Sequence, residues 1–179
     1  RQAESILRNL AERVEHDKLD AEQRTRLFKV MASNVEATDG IQGLFIYNSN
    51  GDWVVNSFSS EAVAKNNSDR SYFIYHKNHP DTAIHIGQVI LSRTTGEMII
   101  PVSRRTQYPD GSFSGVVLAT LPVAYFQHFF ERLDVDNQGV ILLALSNGDL
   151  LARRPMIDAL MTTNIAKGEL FSRYLINSD

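Results

Sequence analysis

The four residues Ser-Asn-Gly-Asp occur at 49–52 and again at 146–149. Apolar runs flank both copies. Leu44-Phe45-Ile46-Tyr47 precedes the first and Trp53-Val54-Val55 follows it. Ile141-Leu142-Leu143-Ala144-Leu145 precedes the second and Leu150-Leu151-Ala152 follows it. Asn-Gly between two apolar runs is the strongest short hairpin signal, because tight turns need a residue that tolerates positive φ. Chance reuse of turn vocabulary is the alternative reading. The matching flanks favour duplication, so the chain is expected to hold two successive modules of one kind.

The intervening sequence supplies what the first module needs. Ala3, Ile6, Leu7, Leu10, Ala11 and Val14 recur at helical spacing, as do Leu27, Phe28, Met31 and Val35. Asp20 stands at the N-cap position with Gln23 three residues on, and Gly40 follows the second stripe. These signals predict helices at about 2–16 and 20–38. After the first hairpin a loop is expected over 57–69 and a short helix within "DRSYFIYHKN". Three strands should follow, "AIHIGQVIL", "EMIIPVSRR" and "FSGVVLATL", joined by glycine-containing turns as in an antiparallel meander. Pro122 opens a further helix with Tyr125, Phe126, Phe129, Phe130 and Leu133 on its apolar face. The second module begins at Val140 and contains its hairpin and a helical piece at 156–164. The chain starts on Arg1 inside an amphipathic pattern and stops before a second meander, so it is expected to be a segment of a longer protein.

Composition narrows the function classes. A chain of 179 residues with 43% hydrophobic and 22% charged residues is globular. A net charge of -3 argues against a general nucleic-acid binder, which carries a basic footprint. The absence of cysteine rules out thiolate metal sites and disulfides. No apolar run is long enough for a transmembrane helix. There is no phosphate-binding glycine loop, GxSxG elbow or HExxH, so catalysis is not expected, nor is a cofactor. His76 and His79, with Asp81 nearby, approach metal-ligand spacing, but no further ligand is identifiable.

The more pointed cluster is Asp69-Arg70-Ser71-Tyr72-Phe73 with His76. This segment crosses from the first hairpin to the meander. Covering one face of a sheet, it would wall a pocket in which Arg70 grips a carboxylate between aromatic sides. Arg70 could equally staple the segment down by pairing with Asp69 or Glu97. Alternation places Ile99, Pro101 and Ser103 on one face of their strand, and Ile100, Val102 and Arg104 on the other. Val116, Leu118 and Thr120 share a face of the next, so Ser103 or Arg104 and Thr120 are candidates for the opposite wall.

The ordered motifs "DRSYF…H…IGQV…SRTTGEMIIPVSRR…PDGSFSGVV…YF", then "GVILLALSNGDLLARRP", resemble the extracytoplasmic double Cache (PAS-like) sensor domains of bacterial membrane receptors. The likeness spans nearly the whole chain and is strongest to the branch that precedes diguanylate cyclase domains. It implies an α+β fold: a long N-terminal helix, an antiparallel five-stranded sheet module and a partial second module. The boundaries expected are 1–38 for helices leading from a transmembrane segment, 39–127 for the membrane-distal module, and 128–179 for the linker end and incomplete proximal module. It further implies a periplasmic location, a homodimer in the full receptor, membrane attachment through flanking segments, and a small-molecule ligand in the distal module. An amino-acid-binding subset of the family carries an aromatic, then Arg-x-Trp-Tyr, and an aspartate on the last strand. Here Arg70 matches, Tyr72 and Phe73 replace Trp-Tyr, Lys65 stands for the preceding aromatic and Thr120 for the aspartate. Without that carboxylate an ammonium loses its main partner, so a small carboxylate held by Arg70, with Tyr72, Phe73, His76, Ser103 and Thr120 around it, is expected instead. A histidine kinase or chemoreceptor sensor, a protein-docking module and a small periplasmic hydrolase are the competing readings.

Overall fold

The computed structural model describes residues 1–16, 19–59, 64–135, 139–160, 162–169 and 171. Parts of the expected loop at 57–69, of the linker after Asp134 and of the helical piece at 156–164 lie outside these. The chain divides into two compact units, residues 1–87 with 101–121, and residues 88–100 with 122–179. Among the described residues no helix is long and apolar enough to cross a membrane.

The first unit opens with α1 (Gln2–His16) and α2 (Ala21–Ala37). The Asp20 carboxylate accepts from the Gln23 amide at 2.8 Å, capping α2 as its sequence predicts. The apolar stripes of both helices are buried, with Leu7, Leu10, Ala11, Leu27 and Met31 forming one cluster with Leu44, Ile46, Val55, Val102, Val117 and Ala119. These last six are alternate residues of β1 (Gly43–Asn48), β2 (Trp53–Asn56), β5 (Met98–Gln107) and β6 (Phe113–Pro122), so the helices cover one face of the sheet. The strand order is β2-β1-β6-β5-β3, where β3 is His85–Ile86. This is the five-stranded sheet of the expected α+β fold. A sixth strand, β4 (Ile90–Leu91), pairs with the first residues of β5, and Met98–Ile100 belong with it to the second unit.

The expected continuous strand "AIHIGQVIL" is therefore broken into β3 and β4. His85 and Ile86 pair with Ser103 and Val102, but Ile90 and Leu91 pair with Ile99 and Met98, so one extra residue is inserted. The break lies opposite Pro101. Proline has no N–H to give the ladder. Its ring also crowds the facing strand: a Cβ on Gly87 would lie 3.0 Å from Pro101 Cγ.

The second unit contains α4 (Val123–Glu131), β7 (Ile141–Ala144), β8 (Leu150–Arg154) and a 3-10 turn at Asp158–Leu160. Pro122 is the N-cap of α4, as expected. The apolar face of α4 is only partly covered. Val123 and Phe130 are buried, while Tyr125, Phe129 and Leu133 are exposed, and the helix ends before Leu133. Arg154 Nη1 donates to the Phe130 carbonyl at 2.7 Å and to that of Leu133 at 3.1 Å, satisfying acceptors at the helix end.

The duplicated hairpin repeats in its hydrogen bonds as well as its letters. In the first copy Asn48 N donates to Asp52 O and Gly51 N to Asn48 O; in the second, Leu145 N donates to Asp149 O and Gly148 N to Leu145 O. Both glycines have positive φ, 86° and 89°. Each turn is then clasped by an asparagine from the returning chain. Asn66 Nδ2 donates to Asn50 O (2.9 Å) and Asp52 Oδ1 (2.7 Å); Asn164 Nδ2 donates to Asn147 O (2.9 Å) and Asp149 Oδ1 (2.8 Å). This second element of the repeat had no visible period in the sequence.

The copies differ in burial, since Asp52 is exposed and Asp149 buried. Burial alone would raise the Asp149 carboxyl, but hydrogen bonds from Asn164, Gln88 and Asn147 outweigh it and hold it below the usual value. Asn164→Ala is expected to cost about 1–2 kcal/mol, because it strips a buried carboxylate of a donor. Asn66→Ala should cost less. Urea unfolding of the two variants checks the order.

Candidate functional site

α3 (Ser71–Asn78) packs on the sheet face opposite α1 and α2, where Tyr72 meets Tyr47 and His76 meets Ser103. The Arg70 amide donates to Asn67 O at 3.0 Å, and the Arg70 carbonyl accepts from Phe73 N and Ile74 N, each at 3.0 Å, which starts the helix. Tyr72, Phe73 and His76 fall on one side and are buried, whereas Ser71, Ile74, Lys77 and Asn78 are exposed. Two polar clusters lie beneath this helix.

The first is a hydroxyl-amide cluster on an aromatic floor. Asn67 Nδ2 donates to the Tyr72 hydroxyl at 2.8 Å and to the Tyr47 hydroxyl at 3.2 Å, and Tyr72 Oη donates to Tyr47 Oη at 3.4 Å. Tyr47 stacks with Phe45 at 6.1 Å between centroids and with Tyr72 at 6.2 Å. Trp53 meets Phe45 and Tyr47 edge-on at 5.0 and 6.1 Å. Tyr47 faces the same side as Trp53 because they pair across the hairpin after a register shift. Burial, reinforced by the neighbouring Tyr72, pushes the Tyr47 phenol well above its ordinary value, while the Arg70 charge acts in the opposite sense. Lys65 Nζ lies over the Trp53 ring, 5.2 Å from its centroid. The buried Trp53 Nε1–H has no hydrogen-bond partner among the described residues.

The second cluster fixes the far end of α3. Ser103 Oγ donates to the His85 carbonyl at 3.3 Å, so it accepts from His76 Nε2–H at 3.0 Å. That tautomer leaves His76 Nδ1 a bare buried acceptor. His76 is fully buried, and desolvation, helped by His85, lowers its pKa from 6.5 to about 4. Arg105 spans the edge of this cluster. Its Nη1 donates to the His76 carbonyl at 2.7 Å, and its guanidinium lies 4.9 Å over the Phe113 ring. Tyr75 is sandwiched between the His79 and His85 rings at 4.2 and 3.7 Å.

Of the six residues singled out from sequence, Tyr72 joins the aromatic floor and Arg70 is the N-cap of α3. His76 and Ser103 bond one another. Phe73 is buried edge-on against Phe113 at 5.4 Å. Thr120 is buried on β6, and its Oγ1 donates to the carbonyl of its register partner Gly43 at 3.3 Å. Arg104 reaches the Thr82 carbonyl. Sequence reading missed Tyr47, Trp53, Asn67 and Arg105. Alternation in β1 could have found Tyr47, since Phe45 and Tyr47 must share a face. Asn67 had no such signal.

The arrangement offers cationic and N–H donors over an apolar floor, which suits an oxyanion. Among the described residues no group of three or more His, Asp or Glu side chains could hold a metal ion.

No protein-family model matches the sequence, and no curated protein matches it. Solved structures do. The extracellular domain of rpHK1S-Z16, described as a histidine kinase, shares 30% identity at a TM-score of 0.81, covering 97% of this chain and 69% of its own. The ligand-binding domain of the Campylobacter jejuni chemoreceptor Tlp3, in complex with 4-methylisoleucine, aligns at 14% identity and TM-score 0.65, over 98% of this chain and 69% of that one. The ligand-binding domain of the Pseudomonas aeruginosa amino acid chemoreceptor PctC, in complex with GABA, aligns at 13% and 0.64, over 92% and 73%. The last two establish likeness of fold alone.

Proposed function

Because this chain belongs to the family of extracytoplasmic PAS-like, double Cache sensor domains, we propose that it is the ligand-sensing input of a transmembrane signalling protein. The ligand we assign is a small carboxylate, bound in the first unit over the Tyr47–Trp53–Tyr72 floor and gripped by Arg70. What supports this reading is that Arg70 is the N-cap of α3, two residues before Tyr72, whose hydroxyl joins Tyr47 and Asn67 in the buried cluster. In this reading Asn67 orients the phenols. His76, Ser103 and Phe73 hold α3 in place, and Thr120 closes the sheet side.

The working division is helices at 1–38, a distal module at 39–127 and a proximal module from 128. The domain would face the periplasm as one half of a homodimer, with binding favouring one arrangement of the receptor over another. A ligand shifts such an equilibrium only by its differential affinity for the two states. For the output, a histidine kinase or chemoreceptor is favoured over a diguanylate cyclase, since the relative at 30% identity is described as a kinase and the other two are chemoreceptors.

Thermal-shift titration with a panel of small carboxylates tests the assignment. A binding carboxylate should raise the melting temperature by mass action, about 2.7 kcal/mol of stabilisation at a hundredfold excess over Kd, and Arg70→Ala should abolish the shift. Equal shifts in wild type and Arg70→Ala would remove Arg70 from the site.

A further inference from the structure

The two hairpin turns share the tetrapeptide Ser-Asn-Gly-Asp, so Asn50-Gly51 and Asn147-Gly148 start from the same local chemistry. Asparagine before glycine is open to ring closure, because no Cβ shields the glycine nitrogen from the neighbouring side-chain amide. The backbone restrains both pairs alike. Each glycine has a positive φ, and each glycine N–H is held, Gly51 by Asn48 O at 2.9 Å and Gly148 by Leu145 O at 2.8 Å. Both asparagines are exposed. Their side chains differ. Asn147 Nδ2 donates to Asp149 Oδ2 at 2.8 Å, and Asn147 Oδ1 accepts from Asp149 N at 3.0 Å. In the first turn Asn48 has taken both roles, donating to Asp52 Oδ2 at 3.2 Å and accepting from Asp52 N at 3.0 Å. Position 48 corresponds to Leu145 in the second turn, whose side chain has no such groups. Asn50 is therefore left with a side chain that has no hydrogen-bond partner among the described residues.

We propose that Asn50 is a site of spontaneous covalent modification, converting through a succinimide to aspartate or isoaspartate, and that its counterpart Asn147 is protected. The inference does not depend on any ligand. Gly51 N loses its proton and attacks Asn50 Cγ; the N–Cγ bond forms, the Cγ–Nδ2 bond breaks, and ammonia carries the proton away. Water then opens the ring. Opening at Cγ gives aspartate. Opening at the Asn50 carbonyl carbon gives isoaspartate, whose main chain runs through Cβ and Cγ while the old carbonyl becomes a free carboxylate. Either product adds a negative charge to the turn that already holds Asp52. Isoaspartate also lengthens the turn and takes out of the main chain the carbonyl that accepts from Asn66 Nδ2 at 2.9 Å. The neighbouring bond, Asn67 N to Gly51 O at 2.8 Å, positions the side chain that donates to Tyr72 and Tyr47. A change at Asn50 thus reaches the buried hydroxyl cluster through the backbone.

The test holds the folded 179-residue chain in mildly alkaline heavy-oxygen water and locates the incorporated label by tandem mass spectrometry of its tryptic peptides. Asn50 should convert at least about tenfold faster than Asn147, the effect of two side-chain hydrogen bonds that must break before Asn147 can close its ring. In urea the two should convert at similar rates, since the tetrapeptide around them is the same. Asn48→Leu frees the Asp52 amide for Asn50 and should slow it. Leu145→Asn, read independently, should speed Asn147. The isoaspartate fraction should show altered emission from Trp53, the one tryptophan of the chain. Equal rates at the two asparagines in the folded chain, or an Asn50 that stays intact while the unfolded chain converts, overturns the proposal. Rates that neither exchange alters overturn the part given to Asn48, and unchanged emission overturns the link to the hydroxyl cluster.

Discussion

Gly115→Ala is expected to be among the most damaging single substitutions in the first unit, costing about 3–5 kcal/mol, at the upper end of what one substitution does. A Cβ at Gly115 would lie 2.0 Å from Tyr47 O, 3.0 Å from Tyr47 C and 3.2 Å from Asn48 C. All three are backbone atoms, so no rotamer change makes room. Gly115 pairs with Asn48 at the end of a six-pair ladder running from Gly43↔Thr120. To accept the methyl group, β1 and β6 must separate at this end. That displaces Tyr47, and with it the hydroxyl cluster and the aromatic floor. Chemical denaturation followed by near-UV circular dichroism measures both consequences. A variant with wild-type stability and wild-type aromatic signal would show that the two strands part without penalty.

Acidification should weaken the fold through His76. Its pKa is about 4 in the folded protein against 6.5 in the unfolded chain. The unfolded state therefore binds more protons between these values, and stability rises with pH across the interval. The contribution is complete above pH 6.5 and is lost progressively as pH falls toward 4, about 3 kcal/mol in all. His85, also lowered by desolvation first and by His79 second, acts in the same sense. The groups facing His76 set this balance: His85 and Arg105 oppose its protonation and Asp81 favours it. His76→Gln retains an amide donor for Ser103 but cannot titrate, so its stability should be flatter from pH 6.5 to 4.5. The carboxylates held low, Asp52, Asp110 and Asp149, start from 3.8 and lose their contribution only below that window. Parallel pH profiles for wild type and His76→Gln would refute the assignment.

Local signals were legible from the sequence wherever one residue type had one strong reason to be there. Asp20 caps α2 and Pro122 precedes α4, as their letters say. The two SNGD turns form the same hydrogen bonds because the glycine of each supplies the positive φ that the turn needs. The strand expected at "AIHIGQVIL" failed for a reason not local to it: Pro101, on the facing strand, removes a ladder donor and crowds Gly87. The apolar face of α4 was read correctly as apolar, yet periodicity cannot say what covers a face, and Phe129 remains exposed.

The candidate site divides in the same way. Arg70, Tyr72, Phe73 and His76 could be named because one short helix carries them at adjacent positions. Asn67, Trp53 and Lys65 gain meaning only when the chain after β2 folds back along it, and His76 meets Ser103 only because α3 crosses β5. The sequence by itself determined the hairpins, the caps and the alternation that turns Leu44 and Ile46 to one side and Phe45 and Tyr47 to the other, since these depend on dihedral preferences and side-chain period within a few residues. The tertiary structure alone decided which cation lies over which ring and which histidine is denied solvent. Those outcomes are fixed by burial and by partners far along the chain, and no local pattern records them.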